Sequence, residues 1–300
     1  MKVYVTSAWF AVCLSLCAAF VPAHARGGSV ASTSSNEAKA SMETMQIPSH
    51  GSPMNALVYV AAGAGPHPVV VLLHGFPGNE RNLDLAQDMR RAGWDVLYFN
   101  YRGAWGTPGD FSFSHAIEDV AAALAYLREP ENAKRLRLDP SRIVLVGHSM
   151  GGMLAVQAAA ADPAIQGVAL ISAADMAGRA GQLQERDSRA NAISKTASAL
   201  AAEGMAPLSG CTPVSLATEL SDHAVDWAFP SKAGAVKDRP VLVITSDDGL
   251  APSNDAFVTA LRKMGDTKVS TLHLPTDHAY SDKRTELSQA LLKWLATAPR

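Results

Sequence analysis

The chain has 300 residues, of which 48% are apolar and 18% are charged, and its formal net charge is −2 at pH 7. A chain of this length and composition can bury one large hydrophobic core, as an enzyme-sized domain does. The small net charge and the lack of a long basic run exclude a nucleic-acid-binding role.

The N-terminal segment has the features of a secretory signal peptide. An apolar stretch from about Ala8 to Val21 follows a basic residue, and Ala23-His24-Ala25 forms a small-residue cleavage site. We expect cleavage after Ala25 and export of the protein, either to the periplasm or out of the cell. The apolar stretch within residues 1–25 is too short to span a membrane readily, and no stable membrane insertion is expected after cleavage. An uncleaved anchor and lipidation of Cys17 are the alternatives.

Removal of that segment also takes away two of the three cysteines, Cys13 and Cys17. With only Cys211 left, the mature protein can form no internal disulfide. Residues 26–42 are rich in Gly, Ser, Ala and Asn, which predicts a flexible linker. Residues 43–300 are predicted to form a single folded domain.

The domain is predicted to open with a hairpin and to continue with alternating strands and helices. Met45–Ile47 and Ala56–Val60 flank a turn-rich segment that is typical of a hairpin. The alternation that follows predicts a mostly parallel sheet with helices on both faces. The predicted strands are residues 69–73, 95–99, 142–146, 167–172, 240–245 and 269–274, and the predicted helices are residues 83–92, 115–127 and 153–161.

The most informative motif is Gly147-His148-Ser149-Met150-Gly151, which lies between an apolar strand and a helix-prone stretch. A G-x-S-x-G nucleophile elbow requires this context of strand, sharp turn and helix. Glycines are needed there because bulkier neighbours would collide with the flanking strand and helix. The hydroxyl of Ser149 is therefore a candidate nucleophile at the end of the sheet.

Further candidate residues follow other buried strands. A glycine-rich turn follows the strand at the start of the parallel set, and the N–H groups of Phe76 and Met150 are the expected oxyanion-hole donors. Downstream, Asp247 and Asp248 follow one strand, and His278 follows the next. The order of serine, acid and histidine along the chain matches the α/β-hydrolase arrangement.

These motifs identify the chain as similar to the α/β-hydrolase superfamily from about Met45 to the C-terminus. Tyr101–Gly106 and Asp277–Asp282 resemble segments of bacterial serine hydrolases near the dienelactone hydrolase and prolyl-oligopeptidase branches. The resemblance implies an α/β-hydrolase fold with a mostly parallel central sheet, helices on both faces and a helical cap insertion. Ligands of such sheets bind at the carboxyl ends of the strands.

The same resemblance implies a catalytic triad. Ser149 would be the nucleophile and His278 the base that takes its proton. In the family the acid is commonly followed four positions later by a proline, and Pro252 stands four residues after Asp248. Asp248 is therefore preferred over Asp247 as the residue that orients His278.

The predicted cap insertion runs from about residue 174 to residue 238. It is rich in alanine and lacks strand character, with helical stretches near residues 180–202 and 213–227. Substrate selection is expected to reside in this segment, although a packing layer that never meets substrate is the alternative. Trp227 could line an acyl pocket or could simply pack in the core.

The sequence predicts an exported serine hydrolase that cleaves a carboxylic ester or related acyl bond through an acyl-enzyme. Two alternatives stay open: a serine peptidase acting on short peptides, and a non-catalytic protein that binds a ligand in the same fold. The expected partner is thus a small ester or a short peptide. No metal-ligand spacing and no G-x-G-x-x-G after a strand occur in the sequence, so no metal and no cofactor are expected.

Overall fold

The computed structural model describes residues 38–298. The predicted signal peptide, residues 1–25, and most of the predicted linker lie outside these described residues. The first described strand, β1 (Ser41–Ser49), begins inside the segment predicted as linker, residues 26–42. That boundary is corrected by two residues, because Ser41 and Met42 are already paired with the neighbouring strand of the hairpin.

Within residues 38–298, eight strands form one sheet whose order is β1-β2-β4-β3-β5-β6-β7-β8. β1 and β2 form the predicted hairpin, β2 also pairs antiparallel with β4, and every pair from β4 to β8 is parallel. The predicted mostly parallel sheet is therefore confirmed. The remaining strands are β2 (Ser52–Val60), β3 (His67–Leu73), β4 (Asp95–Phe99), β5 (Leu138–His148), β6 (Gly167–Ile171), β7 (Val241–Thr245) and β8 (Val269–His273).

Helices connect the strands and cover both faces of the sheet, as predicted. The patterns considered above do not predict α3, α8, α9 or α10, of which α3 and α8 span only two turns each. The helices of the described part are α1 (Leu83–Arg91), α2 (Phe113–Arg128), α3 (Pro130–Leu136), α4 (Met150–Ala161), α5 (Met176–Arg186), α6 (Arg189–Ala202), α7 (Pro213–Asp222), α8 (Phe229–Val236), α9 (Ala251–Lys263) and α10 (Arg284–Thr297).

β3 shows why helices are needed on both faces. Its side chains alternate between two buried clusters: Val69, Val71 and Leu73 belong to the cluster that includes α2 and α4. Val70 and Leu72 belong to the other cluster, which is formed with α1 and α10. Since successive side chains of a strand point to opposite faces, a continuously apolar strand must be covered on both of them.

The segment between β6 and β7 contains four helices. The stretch predicted as helical near residues 180–202 is divided into α5 and α6 by Asp187 and Ser188. The side chain of Ser188 accepts a hydrogen bond from the Asn191 N–H, so it caps the start of α6. α5, α6 and α7 pack on one another, whereas α8 packs on α4 and α9 beside the sheet.

Two further properties of the described residues bear on the sequence analysis. None of their helices combines the length and the apolar character needed to cross a membrane. The thiol of Cys211 is free and half-buried, and burial raises its pKa above the ordinary value. A raised pKa lowers the fraction of reactive thiolate, which agrees with a structural thiol.

A buried carboxyl group lies at the opposite end of the sheet from the nucleophile elbow. Asp95, the first residue of β4, is fully buried, and its Oδ1 accepts a hydrogen bond of 2.7 Å from the Ala61 N–H. His67 Nδ1 lies 3.2 Å from the same oxygen. Burial raises the pKa of Asp95 to about 7, and burial also lowers the pKa of His67.

We expect Asp95→Asn to stabilise the protein relative to wild type as the pH rises. When folding raises the pKa of a carboxyl group, the group does not reduce the free energy of unfolding below its unfolded pKa, where it is protonated in both states. The free energy of unfolding then falls as the pH rises towards 7, because the unfolded state can ionise and the folded state cannot. The wild-type free energy of unfolding should fall by up to about 4 kcal/mol across this window, relative to the variant. Thermal unfolding of both proteins between pH 4 and pH 8 measures the difference.

The matched control is Asp255→Asn on the exposed face of α9. Its unfolding midpoint should follow wild type at every pH. A constant offset between wild type and Asp95→Asn would contradict the burial argument.

Candidate active site

The Ser149 turn joins β5 to α4 in a strained conformation. Ser149 has φ 56° and ψ −123°, a region that residues other than glycine seldom occupy. The flanking glycines permit it because the backbone segments nearly touch. A Cβ on Gly147 would lie 2.2 Å from the carbonyl oxygen of Gly151, and a Cβ on Gly151 would lie 2.1 Å from that of Leu73. The predicted elbow geometry therefore depends on those two glycines.

The loop after β3 approaches the same serine. A Cβ on Gly75 would lie only 2.8 Å from the Ser149 Cβ, so the two backbones meet there. Phe76 follows Gly75, and Met150 is the first residue of α4. An N–H at this position has no partner within its helix, and the helix N-terminus favours negative charge. The two predicted oxyanion donors thus belong to the backbone segments that adjoin Ser149.

His278 and Asp248 form a direct pair after β8 and β7. His278 Nδ1 donates to Asp248 Oδ2 over 2.7 Å. The Leu250 N–H donates to the other carboxylate oxygen over 2.9 Å. The Asp248 side chain is 5% exposed and that of His278 is 41% exposed. With Nδ1 committed to the carboxylate, Nε2 of His278 is the ring nitrogen left for proton transfer.

Asp247, the competing acid, lies elsewhere. Its side chain is 64% exposed, and its Oδ1 is 3.1 Å from His273 Nε2 at the surface. Neighbouring loop residues thus point to different surroundings, and of the two only Asp248 contacts His278.

Asp248 is kept ionised by its hydrogen-bond donors. Burial by itself would raise the pKa of the carboxyl group, but hydrogen bonding from His278, from the Ser172 and Ser246 hydroxyls and from the Leu250 N–H brings it well below the ordinary value. The ionised form is the one that can hold the imidazole in a single tautomer and stabilise an imidazolium.

The sequence patterns did not predict the buried hydroxyl network beneath this carboxylate. Ser172 Oγ lies 2.9 Å from Ser246 Oγ and 2.8 Å from the Tyr280 hydroxyl, which also donates to the Ile244 carbonyl. Each serine directly follows a buried strand, and Tyr280 stands two residues after His278. Such polar residues at strand ends, where ligands bind, are the signal that could have found them.

The Ser149 hydroxyl makes no hydrogen bond to His278 within the described part of the chain, although both residues line one cavity. A hydroxyl rotates between staggered positions, and such contacts are often long before substrate binds.

That cavity has a volume of about 520 Å³ and lies over Ser149. It falls in the range of small-molecule sites. Its floor comprises Phe76, Ser149, Asp248 and His278, the predicted residues that the structure brings together. Helices α5, α6 and α7 form its opposite wall, and α8 contributes none of the lining, so only part of the insertion predicted at residues 174–238 covers the site. The wall residues are Met176, Arg179, Ala180, Leu183, Lys195, Thr196, Ala199, Leu200, Glu203 and Leu220.

Trp227 does not line this cavity. Its ring is stacked on His223 with centroids 3.8 Å apart, and its carbonyl oxygen accepts a hydrogen bond from Gln157. Of the two sequence hypotheses for this residue, the structure favours core packing.

Two further polar residues, His74 and Arg102, support loops near the site. His74 is buried and its Nδ1 lies 2.8 Å from the Gly75 carbonyl, and burial lowers its pKa to about 4. Arg102 is paired with Asp119 and Glu118. No group of three or more potential metal ligands occurs among residues 38–298.

A family model described as the alpha/beta hydrolase family matches residues 70–290. The chain belongs to this family. Two uncharacterized proteins of Mycobacterium tuberculosis are 32% identical over 106 residues, which is 35% of this chain and 35% of each of those proteins. The match to these curated relatives therefore spans about a third of their length.

Several solved protein structures share the fold of this alpha/beta hydrolase. An esterase of Pyrococcus furiosus has a TM-score of 0.61 at 16% identity, with coverage of 86% of this chain and 91% of that one. A dienelactone hydrolase of Anabaena variabilis has a TM-score of 0.57 at 15% identity, with coverage of 87% and 100%. An esterase structure from Rhizomucor miehei has a TM-score of 0.63 at 18% identity, with coverage of 87% and 84%. The predicted superfamily and its fold are confirmed.

We expect Asp248→Asn to slow covalent labelling of Ser149 by a fluorophosphonate probe. Without the carboxylate, His278 loses the partner that holds its reactive tautomer, and the labelling rate should fall roughly 100- to 10,000-fold. Mass spectrometry of the Ser149 peptide over time measures this rate.

Asp247→Asn is the matched control one residue away. Loss of its exposed contact with His273 should change the labelling rate less than about threefold, because exposed pairs contribute little. Equal slowing in both variants would count against the assignment of Asp248.

Proposed function

We propose that this alpha/beta hydrolase is a serine hydrolase that cleaves carboxylic esters through an acyl-enzyme. The observation that carries the proposal is the joint placement of a strained Ser149 and the His278–Asp248 pair at the floor of one cavity. Export rests on residues 1–25 alone and stays a sequence-based prediction.

The proposed reaction follows from the position of each group. His278 Nε2 takes the proton from the Ser149 hydroxyl as Oγ attacks the ester carbonyl carbon. The resulting oxyanion accepts hydrogen bonds from the N–H groups of Phe76 and Met150, each of which is expected to contribute about 3 kcal/mol. The alkoxide leaves with the proton from His278, and Ser149 stays acylated. Water then attacks the acyl carbon in the same manner and releases the acid.

Two features favour an ester over a peptide as substrate. An ester leaving group needs less protonation than an amine, so a serine, a histidine and two oxyanion donors suffice. The wall of the cavity includes Met176, Leu183 and Leu200 from the cap helices, which can take up an acyl chain by burying its apolar surface. Binding of an extended peptide would require hydrogen-bond partners for the backbone of the substrate. The experiment below includes anilide substrates, which test the peptidase alternative.

We expect hydrolysis of short p-nitrophenyl esters that is lost in Ser149→Ala. Removal of the nucleophile should lower kcat by roughly 10⁵-fold or more, because the acyl-enzyme can no longer form. Initial rates on p-nitrophenyl acetate, butyrate and octanoate, beside aminoacyl p-nitroanilides, make the comparison.

Ser194→Ala, on the exposed surface of α6, is the matched control and should behave as wild type. Anilide turnover equal to or above ester turnover would replace the proposal with a peptidase. Absence of turnover that depends on Ser149, together with no Ser149 adduct from a fluorophosphonate, would leave a ligand-binding protein.

We further expect the α6 wall to set acyl length. Ala199 lines the cavity but is solvent-exposed, so Ala199→Trp can fill space without disturbing the core. Its kcat/KM for the octanoate ester should fall roughly 10-fold or more, while that for the acetate should change by less than about threefold.

Ala201→Trp, on the same helix but outside the cavity lining, is the control for this substitution. A loss of the same size on acetate and octanoate in Ala199→Trp would show that the cap does not measure chain length.

A further inference from the structure

The residue before the nucleophile contacts the residue proposed as the base. His148 ends β5 and is 3% exposed. Its Nε2 lies 2.9 Å from the carbonyl oxygen of His278, and the two imidazole rings are 4.6 Å apart between centroids, tilted by 36°. A carbonyl oxygen only accepts, so Nε2 of His148 carries the proton and donates it. The other nitrogen, Nδ1, is buried without a hydrogen-bond partner among the described residues.

We propose that His148 is a positioning residue that holds the His278 loop and ring at the distance from Ser149 that proton transfer needs. The proposal rests on the proposed function, since it assigns His278 the role of base. The structural reason is that His148 and Ser149 are consecutive residues of one rigid turn, joined by a peptide bond. The nucleophile and the support of the base therefore move as a unit.

The surroundings of His278 show why such a support is needed. Its side chain makes one hydrogen bond, to Asp248, and is 41% exposed, so solvent borders part of the ring. The loop is fixed further along by Arg284, which donates to the Ala279 carbonyl over 3.0 Å, and by the buried Tyr280 hydroxyl. The carbonyl of residue 278 itself is held by His148.

His148 suits this place because it is neutral. Burial, together with the electrostatic effect of the adjacent His278, lowers its pKa to about 4. The hydrogen bond to the His278 carbonyl acts in the opposite direction, and Arg284 and Asp248 have smaller effects of opposite sign. A neutral donor holds the carbonyl without repelling the imidazolium that His278 becomes during the reaction. A permanently cationic side chain at the same position would disfavour that imidazolium.

Two substitutions separate positioning from simple filling of space. His148→Phe keeps a ring of similar size against His278 but removes the donor. His148→Gln removes the ring but offers an amide N–H to the same carbonyl. We expect kcat on p-nitrophenyl butyrate to fall roughly 10- to 100-fold in His148→Phe, with KM changed less than about twofold, since small misplacements of a base are costly. His148→Gln should recover kcat to within about fivefold of wild type.

The control is another buried histidine at the far end of the sheet. His67→Phe removes an imidazole that is 8% exposed and remote from the cavity, so it should alter the unfolding midpoint but leave kcat unchanged. Equal losses of kcat in His148→Phe and His148→Gln, in step with a lowered unfolding midpoint, would overturn the proposal in favour of a packing role. Wild-type kcat in His148→Phe would also overturn it.

A second readout does not require turnover. The proton that His278 Nδ1 shares with Asp248 should give a downfield proton NMR signal in wild type. We expect the signal to be broadened or lost in His148→Phe and retained in His148→Gln. An unchanged signal in His148→Phe would refute the positioning role. If wild type shows the signal but has no Ser149-dependent ester turnover, the proposed function fails while the positioning of His278 is still tested.

Discussion

The close approach of two backbone segments at Ser149 is the constraint on which the site depends. The turn between β5 and α4 and the segment that runs from the end of β3 to Gly75 come within contact distance, with no room for a Cβ at several of these places. Ser149 is held at a positive φ by the packing of an almost wholly buried α4. The strain is sustained by the surrounding core, and the serine lies beside the two backbone segments that carry the proposed oxyanion donors.

The second requirement is a charged group in a buried place. Asp248 is desolvated, and it stays ionised because donors from His278, Leu250 and the buried hydroxyls surround it. Those donors come from strand ends that are far apart in the chain and adjacent in the sheet. The parallel order of β6, β7 and β8 thus supplies the electrostatic environment as well as the scaffold.

The cap helices differ from the sheet in what they pack against and in what they contribute to the site. Helices α5, α6 and α7 pack mainly on one another, and they contribute most of the cavity wall. The groups proposed as catalytic follow strands of the sheet, whereas the groups that would select a substrate lie on the insertion. This division lets the wall vary without disturbing the strained serine, as is usual where function sits on segments carried by a scaffold.

Local patterns in the sequence determined the strands, the elbow and the identities of the candidate residues. Continuously apolar, β-branched runs such as residues 69–73 are typical of buried parallel strands, and the glycines around Ser149 are required by local sterics. The choice of Asp248 over Asp247 followed a spacing to Pro252, and the structure pairs Asp248 with His278. The contacts of His148, the hydroxyl network of Ser172, Ser246 and Tyr280, and the division of the cap into wall and packing helix were decided only by the tertiary structure. These contacts join residues up to 130 positions apart. A local sequence pattern contains no information about the distance between two strand ends in the folded protein.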